Sequence, residues 1–222
     1  MGQVLLVRHG QASWDSDDYD VLSETGWEQS RLLGEALVAR GVEPAMVMHG
    51  TMRRHRETAE AACEGRGWPA PAVDGGWDEF DHRAMLAAVP SAFEGRKPTR
   101  AEFQSWFERA TDRWTSGRHD DYEESFVAFS ERATDALRRT AQAVGPGTAV
   151  VFTSGGPMSW ATASLLGAEL DLAEQVLVWR RLNPVCVNSG VTKVVTGRRG
   201  LTLVSFNEHT HLDRTPELLT YR

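Results

Sequence analysis

The sequence predicts an α/β fold: a three-layer αβα sandwich, with helices on both sides of a mostly parallel mixed sheet and a helical insertion. Three observations carry that reading. The first 64 residues alternate strand, helix, strand, helix. The segments 3–7 and 148–153 centre on uninterrupted apolar runs, Val4-Leu5-Leu6-Val7 and Ala149-Val150-Val151-Phe152, as strands buried on both faces do. The second of these runs directly into a glycine-rich helix start.

Taken in order, residues 3–7 form the first strand, which stops at Arg8-His9-Gly10. Over 26–40 the residues Leu32, Leu33, Ala36 and Leu37 recur at helical spacing, and Gly41 is placed to end that helix. Residues 45–48 read as a second strand and 53–64 as a second helix. Gly and Pro dominate 65–74. From about 83 to 122 the chain is polar with scattered aromatics (Phe103, Trp106, Phe107, Trp114), which reads as a mostly helical insertion, 84–122, overhanging the site. Phe126, Phe129, Ala133, Leu137, Ala141 and Val144 step by three or four and predict a long amphipathic helix ending at Gly145-Pro146-Gly147. After the strand at 148–153 comes Ser154-Gly155-Gly156-Pro157, where Pro157 at a first helical position opens a helix through Leu166. Residues 191–196 and 201–206, joined by Gly197-Arg198-Arg199-Gly200, predict a hairpin closing the sheet.

At 222 residues and 41% hydrophobic, the chain can bury one sizeable core, and a single domain over 1–222 is predicted. Cys63 and Cys186 read as core or helix-face residues. A net charge of −7 opposes general binding to nucleic acid, so an anionic ligand needs a local basic pocket. No stretch approaches the roughly 20 apolar residues of a membrane span, and MGQVLLVRHG turns polar too soon for a signal peptide; a cytoplasmic protein without a membrane partner is expected. Oligomeric state is left open, a homodimer included.

In open α/β sheets ligands collect beyond the carboxyl ends of the strands. There the sequence places Arg8 and His9, then Arg53, Arg54 and Arg56, then Ser154 with two glycines at a helix start. Guanidinium forks, free backbone N–H groups and a positive helix end all suit a phosphate. His9 makes such a site an enzyme, because a neutral imidazole nitrogen can attack phosphorus and hold the phosphoryl group. Arg8 and Arg54 would lower its pKa and stabilise charge on the phosphoryl oxygens. Glu79, in Trp77-Asp78-Glu79-Phe80, is the candidate acid, its pKa raised by aromatic flanks. The Ser154 hydroxyl and the Gly155 N–H complete the cradle.

These residues resemble the histidine phosphatase superfamily, in its phosphoglycerate mutase-like branch of broad-specificity phosphatases. Arg8-His9-Gly10-Gln11 is similar to the nucleophile motif, which implies a substrate contact for Gln11. Leu22-Ser23-Glu24-Thr25-Gly26 with Gln29 resembles the helix-opening motif that follows. In HGTMRRHRETAE, counting back from Thr58-Ala59 selects Arg54, not Arg53, as the second phosphate-binding arginine. Trp77-Asp78-Glu79 sits where the family places its acid. The likeness spans nearly the whole chain. It departs where relatives carry a second histidine before two glycines: here Ser154 stands. A neutral donor in place of an imidazolium costs about 1–2 kcal/mol, roughly 5- to 30-fold in rate. His82, His209 and His211 are the candidate compensators. Ala12-Ser13-Trp14-Asp15 also departs from the family's threonine and asparagine, which counts against a mutase.

Each assignment has a plainer alternative. Arg54 could pair with Glu57 or Glu60 on its helix, and Arg53 and Arg56 read as solvated. Glu79 shares an acidic stretch with Asp74, Asp78 and Asp81. Ser154 could simply cap a helix. His209-Thr210-His211 lacks the further ligands a metal would need. Most of the eight tryptophans read as core residues, though Trp14, Trp77 or Trp160 could line the pocket. The expected function is hydrolysis of a small phosphorylated substrate through a phosphohistidine on His9, without metal or dissociable cofactor. The alternatives are a phosphate-binding protein with little turnover and a phosphoglycerate mutase. Selectivity is assigned to 84–122 and to the tail after Phe206.

Overall fold

The computed structural model describes residues 1–13, 20–91, 93, 96 and 98–221. Trp14 and Asp15 lie outside them. The described chain forms two compact units, residues 1–79 with 133–222, and residues 80–132.

In the first unit, β1 (Gly2–Arg8) lies between two strands and is buried over most of its length. Its side chains alternate between the faces of the sheet, as the two-residue period requires. Val4 and Leu6 join Ala149 and Val151 against Leu137, Ala141, Met158 and Ala161. Leu5 and Val7 join Val150 and Phe152 against Leu33, Leu37, Ala59 and Ala62. The second set comes from α1 (Glu24–Ala39) and α2 (Arg53–Cys63), so helices cover both faces. Ser23 caps α1 by accepting from the Gly26 N–H at 3.1 Å, which starts the helix two residues before the predicted 26.

The remaining strands are β2 (Met46–His49), β3 (Ala72–Val73), β4 (Thr148–Thr153), β5 (Val191–Gly197) and β6 (Gly200–Glu208). They form one six-stranded mixed sheet in the order β3-β2-β4-β1-β5-β6. β1, β2, β3 and β4 run parallel, while β5 and β6 form the antiparallel hairpin at one edge. Arg8 lies beside Thr153, and His49 beside Phe152. The residues that follow, His9, Ser154 and Gly50, therefore leave the sheet at one edge.

The other helices are α3 (His82–Ala87), α4 (Arg100–Thr115), α5 (Phe126–Val144), α6 (Gly155–Leu166) and α7 (Leu172–Leu182). α6 begins at Gly155 rather than Pro157. Proline is tolerated throughout a first helical turn, where its missing N–H has no intrahelical partner, so it marked the turn and not its first residue. β3 and α7 were not anticipated. The second unit holds α3 and α4, extends beyond 84–122 at both ends, and has its own aromatic core. Phe80 stacks on Trp114 at 4.8 Å, Phe126 meets Trp114 edge-on at 5.0 Å, and Phe129 meets Phe80 at 5.6 Å. No helix among the described residues is long and apolar enough to cross a membrane.

Candidate active site

His9 continues the sheet by one residue, its N–H donating to the Thr153 carbonyl at 2.8 Å. Its own carbonyl accepts from Asn188 Nδ2 at 3.1 Å and from the Ser189 N–H at 3.2 Å. Ser189 has a φ of 58°, a conformation that side-chain-bearing residues seldom adopt. Next to it, the Gly10 N–H donates to Thr58 Oγ1 at 3.0 Å, and a Cβ on Gly10 would lie 2.4 Å from the Gly26 carbonyl. The loop carrying His9 is thus fixed from four sides by α1, α2, β4 and the segment before β5.

The His9 ring is buried and lies 2.7 Å through Nδ1 from the Gly10 carbonyl. A carbonyl only accepts, so Nδ1 carries the proton and the lone pair sits on Nε2. Burial, then the charges of Arg54 and Arg8 and the nearby His55 ring, hold its pKa well below 6.5 against the opposing pull of Gly10. At neutral pH this is an uncharged imidazole with one available nitrogen.

Arg8 donates from Nη1 to the Cys186 carbonyl and, at 3.0 Å, to the Tyr221 carbonyl. It also adjoins α6, since a Cβ on Gly155 would lie 3.6 Å from its Nε. Arg54 is buried at the start of α2, and its Nη1 lies 2.6 Å from Asp20 Oδ1. The same carboxylate accepts from the Arg53 N–H at 2.7 Å, so Asp20 also caps the helix. The partners weighed for Arg54 are engaged elsewhere: Glu57 pairs with Arg53 at 2.7 Å and Glu60 with Arg56 at 3.5 Å, both at i,i+4 spacing. Arg53 and Arg56 are about half exposed there, with side-chain exposures of 48% and 54%.

At the end of β4, Ser154 occupies the N-cap of α6 but makes no side-chain bond to the helix. Its Oγ instead lies 2.7 Å from His55 Nε2. Glu79 reaches the same helix start, accepting from the Gly156 N–H at 3.1 Å. Gln11 is tied to the start of α1, its Oε1 accepting from Ser23 Oγ at 2.8 Å and its N–H donating to Gln29 Oε1 at 2.8 Å. Trp77 is buried in the core with Nε1 on Thr140 at 3.3 Å, and Trp160 is buried with Nε1 on Thr134 at 3.0 Å, so neither lines an open pocket.

His55 is the residue the sequence reading overlooked. None of the three proposed compensators is the ring that meets Ser154. His209 bonds the Asn207 carbonyl through Nδ1 at 2.6 Å, His211 bonds Ser189 Oγ through Nε2 at 2.8 Å, and His82 belongs to the second unit. The overlooked signal was spacing: His55, Ala59 and Ala62 are i, i+4 and i+7 on α2, the stripe that faces the core. Burial pushes the thiols up, Cys63 to about 11 and Cys186 to about 12, which leaves neither as a nucleophile at neutral pH. No group of three or more metal-ligating side chains occurs among the described residues.

A mixed sheet flanked by helices, with a buried histidine at the carboxyl edge of its central strands, defines a phosphoglycerate mutase-like α/β protein. The chain belongs to the histidine phosphatase superfamily (branch 1), whose family model matches residues 4–209. The fold is shared with YhfR of Bacillus stearothermophilus, at 20% identity and a TM-score of 0.71 over 96% of this chain and 100% of that one. It is shared with a phosphoserine phosphatase of Entamoeba histolytica, at 16% identity and a TM-score of 0.69 over 96% and 100%. Two curated relatives are 2,3-bisphosphoglycerate-dependent phosphoglycerate mutases, of Corynebacterium diphtheriae and Corynebacterium glutamicum, each 31% identical over 113 residues. That match takes in 47% of this chain, which spans only 45% of the length of either relative.

Proposed function

We propose that the protein hydrolyses small phosphomonoesters through a phosphohistidine on His9. The observation that carries this reading is the state of His9: Nδ1 bonded to Gly10, Nε2 unprotonated, and the ring kept neutral by burial and two guanidinium groups. Nε2 attacks phosphorus, an N–P bond forms, and the bond from phosphorus to the ester oxygen breaks. Glu79, held at the start of α6, gives the leaving alkoxide its proton. Arg8, Arg54, the Ser154 hydroxyl and the Gly155 N–H meet the charge on the phosphoryl oxygens, with Gln11 at the rim. Water then attacks phosphorus, an O–P bond forms as the N–P bond breaks and returns its electron pair to His9 Nε2, Glu79 takes the water's proton, and inorganic phosphate leaves.

Turnover of a chromogenic aryl phosphate by the wild-type protein, abolished in His9→Ala, supports the reading. Turnover equal in both proteins excludes His9 as nucleophile. The curated relatives favour a second reading, phosphoglycerate mutase, which predicts exchange of phosphate between two isomers without release of free phosphate. Ser154 favours a third, a phosphate-binding protein, which predicts binding of inorganic phosphate with no turnover in either protein.

A further inference from the structure

α2 carries Arg54 and His55 side by side, yet the two side chains turn to different neighbours. Arg54 meets Asp20, whereas the fully buried His55 ring lies 2.7 Å through Nε2 from Ser154 Oγ and 5.7 Å, centroid to centroid, from His9. The ring has room because residue 50 is glycine. A Cβ there would lie 2.4 Å from His55 Nδ1 and 2.5 Å from Asp78 Oδ1.

A buried imidazole needs an acceptor for each proton it carries. The titratable and charged groups facing His55 are Asp78, Arg54, His49 and His9. Burial, then Arg54 and His49, keep its pKa well below 6.5, so at neutral pH it carries one proton. On Nδ1 that proton would lack a partner: Asp78 Oδ1 is 3.9 Å away and already accepts from the Thr51 N–H at 2.5 Å. On Nε2 it is accepted by Ser154 Oγ. The hydroxyl then keeps its own proton to give, and among the described residues Ser154 Oγ has no other hydrogen bond.

We propose that His55 is a positioning residue for the phosphoryl group: by donating from Nε2 to Ser154 Oγ it aims the serine hydroxyl proton at a phosphoryl oxygen. The chemistry rests on the hydrolase reading above; anion binding does not. A lone serine turns among three rotamers and its proton turns freely. Fixing one lone pair gives the developing phosphoryl charge a donor that needs no reorientation.

The test compares Ser154→Ala, His55→Ala, the double variant and His55→Gln, whose amide N–H reaches about as far as Nε2. Where His55→Ala fails to fold, His55→Asn, whose amide stops short of Ser154, takes its place. Turnover of para-nitrophenyl phosphate and calorimetric binding of inorganic phosphate are measured on each. The loss of one hydrogen bond to a charged group predicts a kcat lower on the order of 10- to 100-fold in either single variant, with a smaller change in KM. The double variant is no worse than either single, and His55→Gln recovers most of the loss. Wild-type kcat without the His55 imidazole, or losses that multiply in the double variant, overturns the proposal. If the wild-type protein turns nothing over, the hydrolase reading falls and the phosphate isotherms decide. Equal, non-additive weakening then supports the role of His55, and unchanged affinity overturns it.

Discussion

His9 owes its chemistry to a neighbour in sequence and to neighbours in space. The Gly10 carbonyl selects the tautomer, while burial and the charges of Arg54 and Arg8 select the protonation state. A lowered pKa means that the neutral ring persists as pH falls below 6.5. The acid limb of kcat/KM, which reports the free protein, is therefore expected below 6.5. Arg54→Gln removes the stronger of the two guanidinium charges and moves that limb upward as KM rises. An acid limb at or above 6.5 in the wild-type protein contradicts this account of the ring. Under the hydrolase reading Asp20 would temper the same arginine, because its guanidinium already has a carboxylate 2.6 Å away.

α1 is held against the loop that carries His9 by a contact between backbones: a Cβ on Gly26 would lie 2.2 Å from the Gln11 carbonyl. Gly26→Ala must push the helix from the loop, and a destabilisation of about 1–3 kcal/mol is expected in chemical denaturation, with turnover reduced as the loop shifts. Unchanged stability and turnover would show the contact to be unimportant. Much at this scale was legible beforehand. The central strands announce themselves by apolar runs, and α5 by its steps of three and four, because each is buried over its length or along one stripe. β3 is two exposed residues, too short to leave a period. In α7 Val176 and Trp179 are buried while Leu172 and Leu177 are exposed, so its apolar pattern points no one way; its Asp171–Glu174 capping box was the readable mark. The positions of Arg8, His9 and Arg54 were legible because each lies at or just beyond the end of a strand. His55 was not, since a histidine on an apolar helix stripe acquires a role only when β4 delivers Ser154 to it.

The sheet order makes the site, because β2, β4 and β1 are parallel neighbours and release Gly50, Ser154 and His9 along one edge. Gathering imidazoles there leaves a mark on the stability of the whole chain. His9 and His55 are held well below 6.5, and burial takes His211 down to about 4. In the unfolded chain each titrates near 6.5. Between those values the unfolded state binds more protons, so stability is fully present above about 6.5 and declines as pH falls toward the folded values. The urea midpoint is expected to drop on acidification through that range, less steeply in His211→Gln, and a midpoint that rises instead would contradict the burial of these rings as neutral groups. The most direct test of the central claim is to trap the phosphorylated protein by rapid alkaline quench during turnover of an aryl phosphate and to locate the phosphoryl group by mass spectrometry. Phosphate on His9, absent from His9→Ala, is the result expected; steady turnover with no phosphorylated His9 at any quench time would contradict it.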